Sequence, residues 1–159
     1  MQLLRSKEGT TEVASSDWQI LDDDASAAEG AAVAISYARY LGETAEWENR
    51  TAPWTVHIQP ADDLLAVSDT LLALPEILIA FPVYTDGRGY SHAVTLRQHH
   101  AYAGDLVAVG DVRRDQLEFM QVAGFNAFQI TGNDSVDDMR VSLSELQMPK
   151  HRLYSGAAL

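Results

Sequence analysis

A chain of 159 residues with 47% hydrophobic and 21% charged side chains is long enough for one domain with a proper core and needs no second. It has no cysteine, which excludes disulfides, thiolate nucleophiles and iron–sulfur ligation, so electron transfer would require an organic cofactor or a partner's metal centre. Its formal net charge of −12 argues against non-specific binding to nucleic acid.

Residues 1–16 are polar and turn-rich and read as a loose lead-in, without the apolar core of a signal peptide. Residues 17–21 suit a short edge strand, 22–30 an exposed acidic loop, 32–35 a weak strand and 36–49 a helix. The pattern then becomes regular. Residues 54–58 read as a strand, and Asp62 or Asp63 caps a helix that runs to Leu74 and stops at Pro75. Residues 76–81 form a continuous apolar strand, the mark of burial on both faces. A helix over 90–102 closed by Gly104, a strand over 105–109 and a helix over 112–123 ending at Gly124 follow. A strand over 127–130 and a helix over 135–146 complete the series, and the stretch after Pro149 reads as a loose tail.

Strand and helix alternating about four times with short loops predict an α/β fold. The expectation is a single domain over 17–148, between a loose segment 1–16 and a loose tail 149–159. Its sheet is expected to be open and mostly parallel, with four or five strands, βα repeats and helices on both faces. A partial TIM-barrel-like arrangement is the alternative, since a complete eight-unit barrel needs about 250 residues. The longest apolar run, Ile77 to Val83, is broken by Pro82 and too short to span a bilayer, so a cytoplasmic protein without membrane contact is expected.

Charge is unevenly spread: residues 1–80 carry 14 acidic and 4 basic side chains, residues 81–159 carry 9 and 7. An acidic first half serves solubility and steers basic partners. In a parallel sheet the strand ends share one edge, which gathers the two most distinctive turns, Thr85-Asp-Gly-Arg-Gly-Tyr-Ser91 and Gly110-Asp-Val-Arg-Arg-Asp115. Glycines that bring amides close, at a helix start beside an arginine, suit a small anion. The candidate ligand-binding residues are Thr85, Asp86, Gly87, Arg88, Gly89, Tyr90, Ser91, Asp111, Arg114 and Asp115, with Asp86 and Asp111 as candidate general bases. The competing reading is structural: Thr85 or Asp86 caps one helix, Asp111 caps the next, and the arginines neutralise neighbouring carboxylates. The spacing matches neither a phosphate-binding P-loop nor a dinucleotide fingerprint, and no cofactor is evident. His99 and His100 diverge on a helix, His92 is too distant to join them, and His57 and His151 are isolated, so no metal site is expected.

Three blocks carry a family resemblance: Phe81-Pro-x-x-Thr-Asp-Gly-Arg-Gly-Tyr-Ser91, Gly104-Asp-Leu-x-Ala-Val-Gly-Asp-Val-x-Arg-Asp-Gln-Leu117, and Ala123-Gly-Phe-x-Ala-Phe128. They resemble the bacterial domain of unknown function family 934, closely over residues 54–130 and loosely before. That resemblance implies a setting in sulfate assimilation and cysteine biosynthesis, because such genes commonly lie beside those of assimilatory sulfite reductase. Members are often labelled oxidoreductases of sulfite reduction. This chain departs from the family pattern at Val83, where lysine is common, at Ala123, where cysteine is common, and at His92 and Arg113. Two functions follow as expectations: an accessory protein acting with sulfite reductase or its electron donor, or a small-anion enzyme or sensor that takes sulfite, sulfate or a phosphosulfate group. Whether the chain is an enzyme stays open.

Overall fold

The computed structural model describes residues 1–7, 9–131 and 135–145. Instead of a loose lead-in, the chain begins with an antiparallel hairpin of β1 (Gln2–Lys7) and β2 (Thr10–Ser15). Six strands follow: β3 (Gln19–Ile20), β4 (Val33–Ser36), β5 (Trp54–Ile58), β6 (Glu76–Phe81), β7 (Asp105–Gly110) and β8 (Ala127–Gln129). They pair in parallel with their sequence neighbours, while β1 pairs antiparallel with β8. The result is an eight-stranded mixed sheet ordered β2-β1-β8-β7-β6-β5-β4-β3, which corrects the expected mostly parallel sheet of four or five strands. The hairpin was hidden because β2 is polar and largely exposed, so only its pairing defines it. The tail 149–159 lies outside the described residues.

The helices are α1 (Tyr37–Gly42), α2 (Thr44–Glu48), α3 (Asp69–Leu72), α4 (Arg88–Val94), α5 (Leu117–Ala123) and α6 (Val136–Glu145). The helix expected from Asp62 shrinks to α3, whose cap is Ser68, because both aspartates serve turns. Asp62 Oδ2 accepts from Gln59 N–H and Asp63 Oδ1 from Leu65 N–H. The expected helix over 36–49 is split at Glu43, whose carboxylate accepts from Arg39 and from the Trp47 indole and so spans the break. Past α4 the chain continues without a break into a π-helical turn, Thr95–His99, and Ala101 takes the left-handed conformation (φ 53°). Arg97 leaves this turn to donate to the carbonyls of Tyr102, Gly104 and Gly124.

Alternation along the strands sorts the core into two faces. Val33, Ile35, Val56, Ile58, Ile77, Ile79, Phe81, Leu106 and Ala108 pack with Tyr37, Tyr40, Trp47, Leu71, Leu96, Leu117 and Met120 from the helical layer. The opposite face carries Leu3, Ala34, Leu78, Val107, Val109 and Ala127, with Met1 and Trp18 packed against it among the described residues. Helices therefore cover one face, not the two expected, because strands laid down in sequence order put every crossover on the same side.

The face without helices is nevertheless sealed, with Leu3, Ala34, Leu78 and Ala127 at 0% exposure. Connectivity explains this. Strands β2 and β3 are the two ends of the sheet, yet only Ser16, Asp17 and Trp18 join them. Four residue steps reach at most about 15 Å, whereas the edges of a flat eight-stranded sheet stand about 34 Å apart. The sheet must curl until its ends approach, and the side chains on the inner face bury one another. At the strand starts this interior is closed by polar groups. Arg5 donates to Glu76 Oε2 (2.8 Å) and Asp105 Oδ2 (2.7 Å), the Trp18 indole donates to Glu76 Oε1, and Asn126 donates to Asp105 Oδ1 (2.6 Å).

Candidate functional site

The two motif turns follow β6 and β7, adjacent strands paired from Glu76↔Asp105 to Phe81↔Gly110, so they leave the same edge side by side. Gly110 sits at φ 103°, and a Cβ there would lie 2.4 Å from the Phe81 carbonyl oxygen. That close approach lets Asp111 N–H donate to Phe81 O at 2.7 Å and starts the joining of the turns. Asp111 Oδ2 then accepts from Tyr84 N–H (3.2 Å), and Gln116 Nε2 donates to Tyr84 O (2.7 Å). Arg113 donates to Asp111 Oδ1 (3.1 Å) while its guanidinium lies 3.7 Å from the centre of the Tyr84 ring. Tyr84 is thus held at both backbone polar groups and covered on one ring face.

Within the first turn, Asp86 Oδ1 accepts from Arg88 N–H (3.1 Å) and Nε (3.0 Å), and Oδ2 accepts from Nη2 (2.7 Å). Gly87 holds the cap position of α4 without a side-chain cap bond. Gly89 lies against Phe81, whose ring a Cβ would meet at 2.6 Å, and the Tyr90 ring packs edge-on to Phe81 at 5.4 Å. Thr85 and Ser91 are exposed at the two ends of the turn.

Asp111 and Arg114, both candidates for the site, do not pair with each other. No helix starts at Asp111: Val112 N–H donates back to Gly110 O (2.9 Å) and Arg113 is extended (φ −114°, ψ 151°), and Asp111 pairs with Arg113. Arg114 instead donates to Ser142 Oγ on α6 at 2.7 Å, and Asp111 caps no helix. Asp115 is exposed in the middle of a 3-10 turn, Arg114–Gln116, and its charge adds to the burial that raises the Tyr90 pKa. Of the expected constellation, Asp86–Arg88 and Asp111 stand on the shared edge and Arg114 turns away from it. Tyr84, Arg113 and Gln116 complete it. Arg113 was visible in the sequence only as a departure from the family pattern.

Arg88 holds the Asp86 carboxyl down at about 2, and Arg113 with the Tyr84 amide lowers that of Asp111. Carboxylates held ionised in this way are weak bases at neutral pH. Because the Asp86 pKa lies below its usual 3.8, the pairing's stabilisation is fully present above 3.8 and disappears as pH falls through about 2. An NMR titration of the Asp86 carboxyl is expected to give a midpoint near 2 in the native chain and a higher one in Arg88→Ala, still below the ordinary value because the residue-88 N–H continues to donate to Asp86.

Among the described residues, no group of three or more His, Cys, Asp or Glu side chains is placed to hold a metal ion. His92 Nε2 lies 3.3 Å from Pro60 O and His100 Nε2 lies 2.8 Å from Leu64 O, both tying helix to loop. His151 lies outside the described residues. No helix among the described residues is long and apolar enough to cross a membrane.

The family described as Bacterial protein of unknown function (DUF934) matches residues 55–156, from β5 onward and across both turns. No curated protein and no solved structure matches the chain.

Proposed function

The chain belongs to the DUF934 family of bacterial proteins, and from that premise we propose that it is a cytoplasmic accessory protein of sulfate and sulfite assimilation, docking on sulfite reductase or its electron donor. The observation that carries the docking role is Tyr84. Its backbone is fixed by Asp111 and Gln116 and its ring lies under Arg113, yet the residue is 41% exposed beside Val83 at 52%. A rigid aromatic next to arginine, presented on a surface that loses little freedom on binding, is the usual anchor of a protein interface. The partner's identity rests on the family's genetic setting, and the acidic first half favours a partner with a basic surface.

An anion enzyme or sensor at this edge is less well supported. Arg88 already gives two nitrogens to Asp86 and Arg113 gives two to Asp111, so each guanidinium is already neutralised by a carboxylate, which lowers its attraction for an anion. The immobilised protein is expected to retain sulfite reductase or its donor from a native extract, and Tyr84→Ala to reduce the retained amount about tenfold or more. A strain lacking the gene is expected to grow on sulfide or cysteine but poorly on sulfite. No association, together with normal growth on sulfite, would overturn the reading.

A further inference from the structure

Of the two strands that end the sheet, β3 spans two residues and offers little to pair with, whereas β2 spans six. The direction of the backbone bonds of β2 follows from its last turn. Ser16 N–H donates to Met1 O (2.8 Å) and the Met1 amino group donates to Ser16 O (2.6 Å). In an antiparallel ladder such exchanging pairs recur at every second residue, so Thr10, Glu12 and Ala14 face β1. The N–H and C=O groups of Thr11, Val13 and Ser15 therefore point to the open side, where they have no partner among the described residues.

Natural edge strands are usually guarded by lysine, proline, a bulge or brevity. Residues 10–15 contain neither lysine nor proline, their register with β1 is unbroken, and Glu12 is their one charge. Val13, opposite Leu4 on the helix side of the sheet, is 44% exposed. We propose that β2 is the interface of a homodimer, in which two copies pair their β2 strands antiparallel about a two-fold axis at Val13. The strand is complementary to itself in that register. Val13 exchanges both backbone bonds with the partner's Val13, and Thr11 does so with the partner's Ser15, which uses every open group of the stretch. Glu12 falls opposite the partner's Ala14, and the two valines cover each other. A register centred on Glu12 would instead set two carboxylates face to face. This match in bonding, charge and apolar centre is what identifies the occupant as a second copy.

Sedimentation equilibrium of the full chain, from micromolar to millimolar concentration, should show a monomer in exchange with a dimer of twice 17.4 kDa. The net charge of −12 on each copy opposes association, so added salt should tighten the dimer. Val13→Pro removes an N–H that makes no bond within one chain. It should raise the dimer Kd about tenfold or more and leave the thermal midpoint little changed. Val13→Lys keeps the N–H but sets two cations at the axis, and should weaken the dimer likewise; it decides the matter if proline lowers the midpoint. In this cysteine-free chain, Val13→Cys should crosslink two copies on mild oxidation, because residues paired in this way lie about 5.5 Å apart. Gln19→Cys, on the exposed β3, should not. The proposal is overturned by a chain that stays monomeric throughout, by an unchanged Kd in Val13→Lys, or by crosslinking of Gln19→Cys in place of Val13→Cys.

Discussion

Arg5→Ala is expected to destabilise the fold by about 3 kcal/mol, the lower end of what removing one partner of a buried ion pair costs. Glu76 and Asp105 stand side by side at the starts of adjacent strands, and Arg5 is the cation that meets both. Without it, two like charges face each other across one register position, and the Glu76 side chain, only 12% exposed, loses its counter-charge. The effect is scaled down from a fully buried pair because the Asp105 side chain is 35% exposed and water screens it. Urea denaturation followed by circular dichroism provides the measurement. The variant Glu76→Gln in the Arg5→Ala background should recover part of the loss by removing the stranded charge. A loss below about 1 kcal/mol for Arg5→Ala would show that these contacts behave as a surface pair.

Gly110→Ala is expected to cost roughly 3 kcal/mol, from a strained φ worth about 1–3 kcal/mol together with the displacement of a central strand. The added Cβ meets the Phe81 carbonyl oxygen at 2.4 Å, and neither that carbonyl nor the β6–β7 ladder has room to move. The damage also reaches the site, because the Asp111 N–H bond to Phe81 O holds the two turns together. The expected result is a lower midpoint and weaker capture of the partner in the same variant. Gly87→Ala is the control: nothing lies within 4 Å of its Cβ position and its φ is −76°, so stability should stay within about 0.5 kcal/mol. If Gly110→Ala folded with unchanged stability, the close approach of the turns would not be a constraint.

Strands β5 to β8 were legible because each is an apolar run between turn residues, and β6 is buried on both sides as its unbroken hydrophobicity implies. The hairpin was not legible. Only Leu3 and Leu4 of β1 are fully buried, and what buries them is pairing with β8 at the far end of the chain. Nor does a local pattern state which side of a sheet a crossover helix takes; that follows from strand order, which emerges only when all the strands are placed. In the site, Asp86 and Arg88 were readable because their bond spans two residues. The anchoring of Tyr84 by groups at 111 and 116 depends on tertiary structure, and the choice of Arg113 over Arg114 turned on whether a helix began at Asp111. His57 was correctly placed in a strand.

The pairing of β1 with β8 has a consequence for how this molecule reaches its native state. The helices and the parallel strands between β3 and β8 connect neighbours in sequence and form at low loop-closure cost. The last ladder joins segments separated by most of the chain, so its search is the slow event and topology predicts a high barrier there. Until it forms, β8 presents an unpaired apolar edge, the kind of surface through which nascent chains associate. The hairpin therefore acts as the closing clasp of the fold, and the speed of its docking sets how long that edge stays open.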